Sequence, residues 1–302
     1  PSDPTGSVSL PTRPRIYDGS ARRAKPSQIQ DWVGGCRGWG RAVLRWVVMT
    51  ERQPIGIFDS GFGGLTVARA IIDLLPNEDI VYFGDTGRYP YGPRALDEVR
   101  GFAHQITRML VADHNVKAVV VACNTAAAAA LGELEQVADV PVMGVIKPGA
   151  EALVEVTKSG RVGVIGTVGT VASGAYQETI ARLAGGDVEL TCAACPGFVE
   201  FVERGEFSGD QVAVLAERLL APIVEAKVDS LLLGCTHYPY LARTIGNVLG
   251  DDVVLVSSAD ETAFALATAL GSLGLVSATG SVAPERRFLS SGDVSWFADL
   301  GR

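Results

Sequence analysis

The 302-residue sequence lacks the features that would assign it to several special classes of protein. Its apolar runs are far shorter than the roughly 20 residues needed to cross a bilayer, so no membrane role is indicated. Basic residues are outnumbered, with 26 Lys and Arg against 34 Asp and Glu and a net charge of -8. This balance does not fit the clustered basic face of a nucleic-acid-binding protein, and no direct nucleic-acid binding is expected.

Cysteine is also scarce, since the chain has five, an odd number that does not fit a framework of disulfides. No secretory signal is recognisable in the sequence. We therefore expect a reduced, cytoplasmic protein in which any cysteine chemistry uses free thiols.

The first 50 residues lack the regular apolar periodicity of the remainder. They are rich in Pro, Ser, Gly and Arg and carry eight Lys and Arg against three Asp. We interpret residues 1–50 as a disordered or extraneous N-terminal extension.

From Pro54 onward, short β-branched runs alternate with segments that have apolar residues at helical spacing, which predicts an α/β fold with mostly parallel sheets. Strands are predicted at 55–58, 80–83, 117–122, 141–145, 161–165, 188–192, 229–233 and 253–256. Helices are predicted at 64–75, 97–114, 147–157, 170–184, 209–226 and 260–273.

The chain also shows an internal repeat. The segment 55–60 is similar to 162–167, and later in each half an apolar strand ends in a cysteine, Cys123 in one and Cys235 in the other. Two related α/β domains that face one another would place these thiols across a common cleft. The alternative is that the segments are alike only because many α/β strands are alike.

Two domains are predicted on this basis. Residues 51–146, completed by 258–302, form the N-terminal α/β domain, and residues 147–257 form the C-terminal α/β domain.

The positions of Cys123 and Cys235 suit acid–base chemistry. Each is predicted to follow a buried strand and to precede a helix, and open parallel sheets bind ligands at such strand ends. Helix N-termini favour anions, which include a substrate carboxylate and a thiolate, so the pKa of each thiol is expected to fall below its usual value of about 8.5. Asp59 and His237 are the nearest candidates for proton-transfer partners. Either cysteine alone could instead be a buried structural residue.

Other motifs fit known chemistry less well. The segment Gly61-Phe62-Gly63-Gly64 resembles a dinucleotide-binding turn, but Thr66 interrupts the G-x-G-x-x-G pattern and leaves only a cradle for a small anion. Cys192 and Cys195 have the spacing of a redox pair, and together with Cys235 and His237 they could be drawn as a zinc site of irregular spacing. We expect neither of these, and no metal.

Four motifs occur in one order along the chain: IFDSGFGGLTV at 57–67, YPYG at 89–92, ACNTA at 122–126 and GCTHYP at 234–239. Together they resemble the signatures of the bacterial glutamate racemases, within the aspartate/glutamate racemase superfamily. The resemblance runs from about Pro54 to the C-terminus. Phe62 and Tyr240 depart from it, because the family commonly has a small aliphatic residue and a leucine at these positions.

The resemblance implies two flavodoxin-like domains with the active site in the cleft between them. It further implies a cofactor-independent interconversion of L- and D-glutamate that supplies D-glutamate for peptidoglycan and the cell wall. Cys123 would deprotonate D-glutamate with help from Asp59, Cys235 would deprotonate L-glutamate with help from His237, and Glu203 would be a further acidic residue near the second thiol. The implied substrate contacts are Asp59, Ser60, Tyr91, Gly92, Asn124, Thr125, Thr167, Thr236 and His237.

The resemblance leaves other properties open. A homodimer is expected, and DNA gyrase is a conceivable partner because some relatives are thought to inhibit it. A sister aspartate or hydantoin racemase has the same cysteine pair, since the pair specifies the reaction and not the substrate side chain. A non-catalytic binding protein on the same scaffold is the alternative from a different functional class.

Overall fold

Two parallel five-stranded sheets form the framework of the computed structural model, which describes residues 16–17, 52–278 and 283–294. The strands are β1 (Ile16–Tyr17), β2 (Ile55–Asp59), β3 (Ile80–Gly84), β4 (Ala118–Val121), β5 (Val142–Gly144), β6 (Arg161–Gly166), β7 (Glu189–Ala194), β8 (Ser230–Gly234), β9 (Val254–Ser257) and β10 (Arg286–Ser290). One sheet has the order β10-β3-β2-β4-β5 and the other β1-β9-β8-β6-β7, with all neighbours parallel.

Helices connect these strands. They are α1 (Leu65–Leu74), α2 (Leu96–His114), α3 (Asn124–Val137), α4 (Ile146–Val156), α5 (Val168–Ala172), α6 (Ala175–Ala184), α7 (Phe198–Glu203), α8 (Asp210–Glu225), α9 (Ala242–Leu249) and α10 (Ser258–Ser272), with a 3₁₀ turn at Tyr238–Leu241. Strands β2, β3 and β8 are buried along their whole length, as expected for sheets covered on both faces. The predicted α/β fold with two similar halves is confirmed.

The strand order explains why the two halves resemble each other. In the first sheet, β3-β2-β4-β5 follows the flavodoxin-like order 2-1-3-4, and β7-β6-β8-β9 repeats it in the second. In this order, strand 2 is added on one side of the first strand, and strands 3 and 4 are added on the other side. The connections after the first and third strands therefore diverge, which leaves a crevice at the carboxyl ends of these strands where ligands bind. The crevices lie between β2 and β4 and between β6 and β8. Cys235 directly follows the third strand of its half, and Cys123 stands two residues after the third strand of the other.

Some elements differ from the sequence predictions. The predicted helix at 170–184 is wrong as a single element, because Gly174 adopts a left-handed conformation with φ 72° and separates α5 from α6. Helices α7 and α9 and strand β10 are additional elements that the periodicity did not predict, and α3, the helix expected after Cys123, was given no bounds.

The N-terminal segment is described only in part. Ile16 and Tyr17 pair in parallel with Leu255 and Val256 of β9, so an ordered strand stands at two positions where no structure was predicted. The unpaired backbone groups at the edge of β9 explain this pairing. The remainder of the predicted 1–50 extension lies outside the described residues.

The first sheet takes its strands from residues 55–144 and 286–290, whereas residues 161–257 supply four strands of the second. The predicted division into domains at 146/147 and 257/258 stays a proposal. Among the described helices, none is long and apolar enough to span a membrane.

Candidate active site

A cavity of about 70 Å³ lies where the carboxyl ends of both sheets meet. One water needs only about 10–15 Å³ of such volume, so a small molecule can be accommodated. Its lining includes ten of the twelve predicted site residues: Ser60, Tyr91, Gly92, Cys123, Asn124, Thr125, Thr167, Cys235, Thr236 and His237. The other two, Asp59 and Glu203, lie behind this lining and contact it.

Both thiols therefore face one cavity. The expectation that the two strand-end cysteines come together is met by the geometry, and both are buried, at 5% exposure for Cys123 and 7% for Cys235. Their charges are close enough that a thiolate at Cys235 would raise the pKa of Cys123. Cys123 and Cys235 can therefore both contact one small molecule bound in this cavity.

The first thiol is Cys123, which occupies the residue before α3. Its Sγ donates a hydrogen bond to Oγ of Ser60 at 3.9 Å. Burial and the nearby Asp59 carboxylate raise the pKa of Cys123, and the backbone N–H of Ala126 and the Ser60 hydroxyl lower it only in part. The predicted lowering of the pKa is therefore wrong for this thiol in the ligand-free protein, because burial outweighs the helix N-terminus.

Asp59 ends β2 and is completely buried. Its Oδ2 accepts hydrogen bonds from the backbone N–H of Gly64 at 2.9 Å and of Gly61 at 3.3 Å. A side chain at position 64 would place its Cβ 2.5 Å from the Cβ of Asp59, so only glycine fits this approach. The second oxygen, Oδ1, is buried and accepts no hydrogen bond from the described residues.

The second thiol, Cys235, belongs to a chain of three side chains. Nδ1 of His237 lies 3.9 Å from its Sγ, and Nε2 of His237 lies 2.8 Å from Oε1 of Glu203. Burial lowers the pKa of His237, but the hydrogen bonds to Cys235 and Glu203 and the negative charges of Cys235 and Asp59 outweigh it and raise the pKa to about 10. The imidazole is therefore protonated at neutral pH, and a positive charge lies beside Cys235.

Hydroxyl groups line the side of the cavity where the two halves meet. Oγ1 of Thr125 lies 2.9 Å from Oγ1 of Thr167 and 3.2 Å from that of Thr170. The hydroxyls of Thr167 and Thr170 lie 2.9 Å apart, and the Thr167 oxygen also accepts the backbone N–H of Thr170 at the start of α5. Neighbouring Asn124 donates to the Tyr176 hydroxyl at 2.7 Å. These contacts fix the polar groups that a substrate would meet.

Among the residues that the structure describes, no lysine or arginine lines the cavity. An anionic ligand there would meet hydroxyl groups, the side-chain amide of Asn124 and the N-termini of α3 and α5. Such preorganised donors stabilise negative charge in a water-poor site.

The sequence interpretation missed part of the lining, which is supplied by the loop after β7. This loop contributes Cys195, Pro196 and Gly197, and the helix that follows it, α7, contributes Val199 and Glu200. The available signal was its position at the carboxyl end of a strand, the same rule that located Cys123 and Cys235. Thr170 and Tyr176, which hold cavity residues from behind, gave no sequence signal of their own.

Cys192 and Cys195, which have the spacing of a redox pair or of zinc ligands, lie within and directly after β7. Both are free thiols, and burial raises the pKa of Cys195 to about 12. Within residues 16–17, 52–278 and 283–294, no group of three or more His, Cys, Asp or Glu side chains is placed to hold a metal ion.

Comparison with known proteins gives consistent findings. The family model described as Asp/Glu/hydantoin racemase matches residues 56–266. A glutamate racemase from Acidothermus cellulolyticus is 50% identical over 249 residues, which are 82% of this chain and 94% of that protein.

Solved structures agree with this likeness. Glutamate racemase isoform RacE1 from Bacillus anthracis has a TM-score of 0.79 and 43% identity, covering 83% of this chain and 92% of that one. The Francisella tularensis glutamate racemase in complex with D-glutamate has a TM-score of 0.77 and 35% identity over the same shares of the two chains.

Proposed function

Because the chain belongs to the Asp/Glu/hydantoin racemase family, as its four motifs predict, we propose that it interconverts L- and D-glutamate by proton transfer between two cysteines. One observation carries the proposal: Cys123 and Cys235 face a single small cavity, and each has its own set of polar partners. Ser60 and Asp59 adjoin the first thiol, while His237 adjoins the second and Glu203 contacts His237. The names of the similar proteins support glutamate as the substrate.

The different surroundings of the thiols assign their starting states. We give Cys235, which lies beside His237, the role of base toward L-glutamate, whereas the raised pKa of Cys123 keeps it a thiol. The Cys235 thiolate removes the α-proton of L-glutamate, and the Cys123 thiol donates its proton to the opposite face. D-glutamate leaves with Cys123 as thiolate and Cys235 as thiol, and the reverse reaction starts from this state.

Substrate binding helps the chemistry in two ways. The positive charge of the substrate ammonium group offsets the negative charge of the Asp59 carboxylate behind the lining, which weakens the rise in the pKa of Cys123 that this carboxylate causes. Donors from Asn124, Thr125, Thr167 and Thr236 hold the carboxylates and stabilise the charge that develops at the α-carbon. Ser60, Tyr91 and Gly92 complete the proposed contacts.

The decisive experiment measures deuterium uptake at the α-carbon of each glutamate enantiomer in heavy water, without added cofactor. The intact protein is expected to give deuterated product of opposite hand from either enantiomer. Cys123→Ala and Cys235→Ala should each abolish racemisation in both directions, because one face of the α-carbon then lacks its acid or base. Full two-way turnover by either variant would rule out the two-cysteine mechanism.

Substrate identity is tested separately. The same assay with aspartate and with a hydantoin is expected to show little turnover relative to glutamate. Preference for either of these would move the chain to a sister activity within the family, whereas binding of glutamate without turnover would favour a regulatory protein.

We further propose that the product supplies peptidoglycan synthesis in the cytoplasm. Homodimer formation and an interaction with DNA gyrase stay predictions, as does the absence of a cofactor. Sedimentation of the purified protein, alone and with gyrase, addresses the two partners.

A further inference from the structure

The turn after β3 is held by the C-terminal segment that follows β10. Asp85, in this turn, is completely buried and accepts a hydrogen bond from the Ser291 hydroxyl at 2.7 Å. The Ser291 oxygen accepts the backbone N–H of Gly87 at 2.9 Å, and the hydroxyls of Thr86 and Ser290 lie 2.6 Å apart. Two residues at the end of the sheet thus fix the turn. Both lie beyond residue 266, where the family match ends.

The same carboxylate holds the loop that lines the cavity. The Tyr91 hydroxyl donates to Oδ2 of Asp85, and Nε of Arg88 lies 2.7 Å from the same oxygen. The Arg88 guanidinium stacks over the ring of Phe102 at 4.2 Å, and the Tyr91 ring packs 5.5 Å from that ring. Asp85 therefore connects the C-terminal segment, the loop at 89–93 and helix α2.

The direction of the Tyr91 hydroxyl restricts what this residue can do. Tyr91 is 1% exposed and lines the cavity, yet its hydroxyl is bonded to Asp85, which does not line it. The loop consequently meets a ligand with the Tyr91 ring and with backbone groups of Tyr91 and Gly92. The backbone groups of Tyr91 and Gly92 keep a fixed orientation toward a ligand only if the loop itself is held in place. Asp85 holds it through the buried hydrogen bond with the Tyr91 hydroxyl.

We propose that Asp85 is a positioning residue for the substrate loop at 89–93, that it acts through Tyr91, and that Ser291 of the C-terminal segment holds it in place. The kinetic test of this inference rests on the proposed function, because it measures glutamate turnover. The structural test by hydrogen exchange does not. The reacting thiols are untouched, so the loop acts on substrate binding rather than on proton transfer.

The kinetic test compares Asp85→Asn with Asp97→Asn, a control on the exposed first turn of α2. In Asp85→Asn, KM for glutamate is expected to rise roughly tenfold, as for loss of a hydrogen bond to a charged group, with kcat changed less than about threefold. The control should keep both values. Because the enantiomers are equal in free energy, kcat/KM must fall by the same factor in both directions, which checks the data internally.

A double-mutant cycle separates positioning from a general loss of structure. If Asp85 acts through Tyr91, Asp85→Asn should have little further effect on KM in the Tyr91→Phe background. Additive effects on KM would overturn the proposal. Ser291→Ala is a milder change at an exposed residue, and it should also raise KM, by a smaller factor. It replaces Asp85→Asn in the test if that variant does not fold.

Hydrogen exchange tests the proposal without any turnover. Amides at 86–93 should exchange faster in Asp85→Asn and Ser291→Ala than in the unaltered protein, while those of α2 beyond Phe102 stay protected. A lower Tm with unchanged exchange at 86–93 would make Asp85 merely structural and overturn the inference. If the unaltered protein does not racemise glutamate, the proposed function fails. The exchange result still shows whether Asp85 holds the loop at 89–93 in place.

Discussion

At the scale of single residues, the two thiols lie in opposite electrostatic surroundings. Cys123 is shielded from water next to the Asp59 carboxylate, whereas Cys235 lies beside a protonated imidazole. The sequence predicted both cysteines, because each follows a strand and precedes a helix or turn. It could not predict the sign of the pKa shift at Cys123, since that depends on burial outweighing a helix N-terminus, and spacing carries no information on burial.

His237 is expected to make stability depend on pH. Its pKa rises from 6.5 to about 10 on folding, so its contribution to the free energy of unfolding is complete below about pH 6.5 and is lost as pH rises through about 10. Between these limits the free energy of unfolding should fall by roughly 2–4 kcal/mol more in the unaltered protein than in His237→Gln. Urea denaturation at a series of pH values measures this, with His114→Gln at the end of α2 as control. Parallel curves for His237→Gln and the unaltered protein would contradict the assignment.

Phe62 and Tyr240, the two departures from the family pattern, contact each other and the catalytic region. The Phe62 ring meets the His237 ring edge to face at 5.1 Å and the Tyr240 ring at 5.8 Å. Phe62→Leu should lower the free energy of unfolding by about 1–2 kcal/mol, and Tyr240→Leu by less because that ring is 37% exposed. The double variant should lose less than the sum of the two, because they share a contact. Equilibrium denaturation of all three variants measures this, and strict additivity would exclude the coupling.

At the scale of elements, the sequence predicted what has a period and missed what does not. Helix α3 begins with Asn124 and continues through five consecutive alanines, which are small enough to be buried without an apolar stripe. Strand β10 is an edge strand with two exposed arginines, so it shows neither an apolar run nor a strict alternation. The start of α3 at Cys123 was nevertheless expected from the position of the cysteine after a strand, whereas β10, which leads to Ser291, was missed entirely.

The loop between β2 and α1 contacts the second half of the molecule at Gly63, which lies against His237 and Thr236. A Cβ at this position would lie 2.5 Å from Nδ1 of His237 and 2.6 Å from Oγ1 of Thr236, so both side chains would have to move. Gly63→Ala is expected to lower kcat/KM at least tenfold, because misplacing a reacting group by about 1 Å costs on the order of 100-fold. Steady-state kinetics in both directions measure the effect.

Gly101→Ala is the matched control, since a Cβ there meets nothing within 4 Å and the residue lies inside α2. It should leave activity unchanged and raise the free energy of unfolding by about 0.5–1 kcal/mol. Equal activity of the two alanine variants would show that Gly63 is not in close contact with the site.

At the scale of the whole molecule, the chain returns from the second half to complete the first. Helix α10 follows β9 of the second sheet and packs against α1 and α4. Beyond it, Ser277 donates its backbone N–H and hydroxyl to the Glu78 carboxylate, each at 2.8 Å. The same carboxylate forms a 2.5 Å ion pair with Lys117, which also donates to the carbonyl of Leu275. This arrangement holds the returning chain next to β3 and β4.

This buried ion pair is expected to be sensitive to removal of one partner. Lys117 and Glu78 are 0% and 1% exposed, so Glu78→Gln leaves a buried positive charge without its counter-charge and should lower the free energy of unfolding by about 3 kcal/mol. Replacing both residues by methionine should cost less than the sum of Glu78→Met and Lys117→Met, because no charge is left without its counter-charge, while Ser277 and the Leu275 carbonyl lose their partners in either case. Denaturant titrations of Glu78→Met, Lys117→Met and the double variant measure the coupling. If the double variant were as unstable as the sum of the two single ones, the ion pair would not be the interaction that closes the first sheet around the returning chain.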